Sequence, residues 1–116
     1  EIYSDAGVLK IRGVVSGTPT VLSSGVNVGT SKFVALAVFN GASSSIRVNA
    51  KTPGGSGTTG TNPDWTWQSV GREQGVGNYF AGKIAAIVIA KRAATSAEAG
   101  AWLDAAGLKY NQTIGA

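Results

Sequence analysis

Seven consecutive apolar residues, Phe33 to Phe39, lie between Lys32 and an Asn40-Gly41 dipeptide. A run of that length is too short for a lone buried helix and fits a central strand covered on both faces. Asn-Gly tolerates positive φ and predicts a tight reversal. The chain then returns over Ser44 to Ala50 with Ile46 and Val48 facing inward, which completes a β-hairpin.

Other stretches carry the same signature. Gly7 to Val15 places Leu9 and Ile11 on one face and Lys10 and Arg12 on the other, as in a strand wet on one side. Thr20 to Val28 reads as a weaker strand broken by Ser23-Ser24-Gly25, Trp65 to Val70 as another, and Gly82 to Ala90 as a strongly apolar one that supplies both faces of a buried position. Seventeen glycines punctuate these runs in the manner of a sheet protein rich in turns. Between Lys51 and Asp64, Pro53, Pro63 and a Gly/Ser/Thr-rich centre predict a long exposed loop, because such a composition buries little apolar surface. Thr95-Ser96-Ala97-Glu98 is a capping box opening a helix over about Ser96 to Ala106. Ala99, Trp102, Leu103 and Ala106 share its apolar face, and Gly107 is placed to cap its end. The expected fold is all-β, an antiparallel β-sandwich with a short C-terminal helix, built as one domain over residues 1–116.

Composition narrows the function classes. The chain has no histidine and no cysteine, which removes the commonest general base, thiol chemistry and Cys-based zinc sites. Its net charge is +4, yet the ten basic residues are dispersed, and Lys91-Arg92 is the one adjacent pair. A nucleic-acid interface would gather them into a stripe, so a solvated surface is expected instead. No stretch approaches the roughly 18 apolar residues that span a bilayer, and no membrane insertion is expected. The sequence opens at Glu1 without a leader, as a processed or excised piece would.

Ser69-Val70-Gly71-Arg72, Tyr79-Phe80-Ala81-Gly82-Lys83-Ile84-Ala85, Arg92, Thr95-x-x-Glu98 and Leu108-Lys109-Tyr110 together form a distinctive ending. It resembles the closing segment of the concanavalin A-like lectin/glucanase superfamily in its laminin G-like, jelly-roll form, with Asn111 where that pattern has glycine. The resemblance spans roughly residues 30 to 110 and rests on turn glycines, core positions and a cap, which speak to fold more than to activity. It implies a lectin-like module of a phage tail fibre, virion or bacterial surface protein, located at the virion surface or outside the cell. Its partner would be a surface glycan or neighbouring protein chains. The superfamily usually has more strands than this chain provides, so the first strands are expected to be missing, the piece to be the C-terminal part of a larger polypeptide, and an open edge to be covered in a homo-oligomer.

The six acids, Glu1, Asp5, Asp64, Glu73, Glu98 and Asp104, are scattered, so the paired carboxylates of a glycosidase are missing and no enzyme is expected. A glycosidase fragment is the weakest alternative. Calcium needs six or more oxygens, which Asn62 and Asp64 do not supply alone, and no cofactor is expected. Trp65 and Tyr79 are candidate stacking faces for a sugar, with Asn62, Asp64 and Asn78 placed to hydrogen-bond its hydroxyls. The alternative is that Trp65 and Trp67 simply fill the core.

Overall fold

A computed structural model describes residues 1–15, 17–60, 70–71 and 80–116. Strands β1 (Ile2–Asp5), β2 (Val8–Val15) and β3 (Thr18–Asn27) form an antiparallel sheet in the order β1-β2-β3. A second sheet comprises β4 (Phe33–Val38), β5 (Ser44–Val48), β6 (Gly55–Gly57) and β7 (Ile84–Ala90) in the order β6-β5-β4-β7. Helix α1 (Ser96–Tyr110) follows.

Strand β4 is buried along its whole length, as its apolar run requires. Phe33, Ala35 and Ala37 face the first sheet and join Ile2, Leu9, Ile11, Ile46 and Val48 in a shared core. Val34, Leu36 and Val38 face the other way, onto Ala99, Leu103 and Ala106 of α1. The layers are therefore sheet, sheet and helix, with β4 between two apolar clusters. A T-shaped contact between Phe33 and Phe80, with centroids 5.3 Å apart, extends the first cluster.

The first strand was not legible. Its connection to β2 turns on Ala6 and Gly7, both at positive φ (48° and 83°). That conformation matches the strand twist in a two-residue hairpin, but Ala-Gly carries none of the Asn-Gly signal that announces one.

Several expectations need correcting. The sandwich is not wholly antiparallel, because β4 pairs with β7 in parallel, from Phe33↔Ile84 to Val38↔Ala90. Nor is β7 buried on both faces: among the described residues it is an edge strand, and Ile84 and Ile89 stay 42% and 37% exposed. The β4–β5 reversal is not a two-residue turn: a 3-10 turn at Gly41–Ser43 carries it.

The described part of the Lys51–Asp64 segment is also more ordered than its composition suggests. Gly55–Gly57 forms β6 against β5, and Thr59 is buried. Its order comes from backbone contact, not apolar burial. A Cβ on Gly54 or Gly55 would overlap the carbonyl of Ser24 or Ser23 on β3, and one on Gly13 would overlap that of Thr59. Glycine is the residue that lets two backbones come so close.

The helix opens where its capping box predicts. Thr95 Oγ1 accepts from the Glu98 N–H at 3.1 Å, and Glu98 Oε2 accepts from the Thr95 N–H at 2.9 Å. It runs past Gly107, however, and ends on Asn111, which takes the left-handed conformation at φ 50°. Gly107 serves a different need, since a Cβ there would lie 2.5 Å from Ile114 Cγ1 and 2.7 Å from the Gln112 carbonyl oxygen. The segment 112–116 folds back over that bare spot and bridges to Ala50 through Gly115. Trp102 is only half-buried at the margin of the second cluster, whereas Leu103 is fully enclosed.

Candidate functional site

Asn62, Asp64, Trp65, Asn78 and Tyr79, the residues nominated for a sugar site, lie outside the described residues, as do Trp67 and Arg72. The described stretch of the same loop, however, borders a cleft. It measures about 430 Å³ and opens on the helix-side face of the second sheet.

The alternation along β5 builds its floor. Ile46 and Val48 enter the core between the sheets, which turns Ser45 and Arg47 to the opposite face. Helix α1 packs over β4 and β7 on that face. Beside it, Ala93 and Ala94, which lead into α1, form one wall of the cleft, while Pro53, Ser56 and Gly57 form another. Asn40 and Ser43 complete the rim.

The rim is held in place by hydrogen bonds. The Ser44 hydroxyl donates to the Gly41 carbonyl and accepts from the Asn40 N–H, each at 2.9 Å. A hydroxyl has one proton to give, so in the 2.6 Å contact between Ser44 and Thr59 the Thr59 hydroxyl donates. The Thr59 N–H also donates to the Gly41 carbonyl at 3.1 Å. These bonds tie the 3-10 turn, the start of β5 and the glycine-rich segment into one frame.

Arg47 is the unusual group here, a cation only 6% exposed. Its Nε donates to the Lys51 carbonyl and its Nη1 to Ser45 Oγ, both at 2.8 Å. Burial lowers its pKa from the ordinary arginine value, but a guanidinium remains charged at neutral pH. The described carboxylate side chains are all engaged elsewhere: Glu1 with Arg12, Asp5 with Lys10, Asp104 with Lys51 and Glu98 with Arg92. Among the described residues, then, the buried charge of Arg47 has no acidic partner. Nor do the described residues hold a cluster of three metal-ligating side chains.

Sequence reading missed Arg47 because alternation assigned it to the polar side of β5. A signal was present: the neighbouring strand β4 is apolar on both faces, so residues beside it on either face lie near a covered layer. Chemically, the site offers one fixed positive charge, several hydroxyls and an amide around a preformed opening.

No family model, curated protein or solved structure matches the chain.

Proposed function

We propose that the chain is a non-enzymatic, lectin-like module of a surface assembly, with a concanavalin A-like jelly roll as its fold and the cleft beside Arg47 as its glycan site. The observation that carries the reading is the cleft itself. Its volume of about 430 Å³ falls within the roughly 300–1,000 Å³ typical of small-ligand sites. Its polar lining of Asn40, Ser43, Ser45 and Ser56 suits a ligand rich in hydroxyls. The two-sheet scaffold and the helix agree with the resemblance in the sequence without identifying the superfamily.

A glycan array followed by titration of the parent and of Ser56→Trp tests the reading. Ser56 is exposed on edge strand β6, so a bulky side chain there fills the cleft while leaving the core intact. Saccharide binding should be present in the parent and lost in the variant at unchanged melting temperature. Equal binding by both would remove the cleft from consideration.

A second reading, a structural module that binds neighbouring chains, draws on the outer edge of β7, which no strand covers among the described residues. Sedimentation over a range of concentrations tests it: self-association weakened by Ile89→Lys supports the reading, and a monomer at every concentration contradicts pairing between copies.

A further inference from the structure

We infer that the ligand of the Arg47 cleft is acidic, a saccharide that presents a carboxylate, such as a uronate, to the guanidinium. The inference rests on the glycan reading above and narrows it to one class of sugar.

Three observations lead there. A guanidinium carries five N–H donors, and Arg47 gives one each to Lys51 and Ser45. Its second terminal nitrogen, Nη2, makes no hydrogen bond to a described residue and is not one of the buried atoms that lack a partner, so it stays open to solvent and to a ligand. The side chain also lines the cleft, so a ligand that enters meets it.

The second observation is the charge count. Withdrawing an ion from water is costly unless a counter-charge compensates it. Every described side-chain carboxylate already pairs with a different cation, so none of them compensates Arg47 and an anionic ligand would. Charge-assisted hydrogen bonds from arginine to a carboxylate are about twice as strong as neutral ones, so an anion gains most by settling here.

The third is the kind of anion. Arg47 is the one cationic residue lining the cleft, so a single negative charge matches it and a phosphate dianion would be left half compensated. Ser43, Ser45, Ser56 and Asn40 around it can give and accept hydrogen bonds together, as the hydroxyls of a pyranose require. A bare carboxylate at the end of a peptide would leave those groups unused.

The test is a set of backbone amide NMR titrations of the ¹⁵N-labelled protein with galacturonate, galactose and sodium acetate at neutral pH and low salt. Galacturonate should shift the amides around Arg47 and bind at least about tenfold more tightly than galactose, with a preference that falls as salt is raised. Ser43→Glu, at an exposed rim position, places a competing carboxylate beside the site and should erase the preference without disturbing the fold. Arg47→Gln should do the same, with its melting curve measured alongside; should that variant unfold, the Ser43 result decides. Equal binding of galactose and galacturonate would overturn the acidic preference and leave the glycan reading standing. Acetate binding as tightly as galacturonate would overturn both in favour of a protein carboxylate. No shift near Arg47 with any probe would overturn both as well.

Discussion

Replacing Gly107 by alanine sets two effects of opposite sign against each other. In an exposed helix interior the change stabilises by about 0.8–1 kcal/mol. Here the new methyl would sit 2.5 Å from Ile114 Cγ1 and 2.7 Å from the Gln112 carbonyl oxygen, so the returning segment has to give way. That segment is held by Gln112 N–H to the Gly107 carbonyl at 2.8 Å, Gly115 N–H to the Asn49 carbonyl at 2.8 Å, and Lys51 N–H to the Gly115 carbonyl at 3.1 Å. At about 1 kcal/mol each, losing them costs roughly 3 kcal/mol, and retaining them costs about 1–3 kcal/mol of overpacking. The chain takes the cheaper route, so the net expectation is a destabilisation of about 1 kcal/mol, or a melting temperature lower by roughly 4 °C for a domain of this size. Differential scanning calorimetry of Gly107→Ala, Ile114→Ala and the double variant reads it directly. If the clash is the cause, the alanine costs less in the Ile114→Ala background, with a coupling above about 0.5 kcal/mol. A rise in melting temperature for the single variant would refute the reasoning, since helix propensity alone would then be in control.

Two further outcomes follow from the packing and the cap. Leu103, fully enclosed between α1 and β4, should lose about 2–5 kcal/mol on truncation to alanine, measured by urea denaturation with an unchanged m-value. The Glu98 carboxyl is pulled down from 4.5 to about 2, chiefly by its hydrogen bond to Arg92 and also by the Thr95 N–H. Because the folded-state value is the depressed one, the stabilisation it gives is complete above the unfolded carboxyl pKa and fades as pH falls from about 4.5 through 2. The difference in melting temperature between the parent and Glu98→Gln should shrink across that window, and a difference constant with pH would contradict the assignment.

What the sequence revealed is what neighbouring residues decide among themselves. The apolar run of β4, the alternation of β2 and the Thr95–Glu98 cap are all set within a few positions, and each stands where periodicity placed it. What it hid depends on residues far apart. Nothing within Ile84–Ala90 says that β4 will be its parallel neighbour, or that one of its edges stays unpaired among the described residues. The role of Gly107 is invisible until Ile114 returns to it, and that of Gly54 until β3 is beside it. Arg47 shows the same limit at the candidate site, since a polar residue in an alternating strand looks solvated until the helix layer and the glycine-rich segment close around it. The nominated residues Asn62, Asp64, Trp65, Asn78 and Tyr79 lie outside the described part of the chain.

The parallel pairing of β4 with β7 also orders events in folding. Val38 and Ser45 meet across a short reversal, whereas Phe33 and Ile84 meet only after some 50 residues have been brought round. With a closure cost that grows as the logarithm of loop length, the longer contact is entropically poorer by about 1.8 kcal/mol. The hairpin of β4 and β5 is therefore the cheaper contact to close first, which would leave one edge of β4 unpaired until β7 arrives. Helix α1 rests on both strands and gains its full seat only then. During synthesis, β4 and β5 leave the ribosome well before β7, so for that interval the most apolar strand of the chain has an open edge, and chaperone binding or pairing with a second nascent chain would act there.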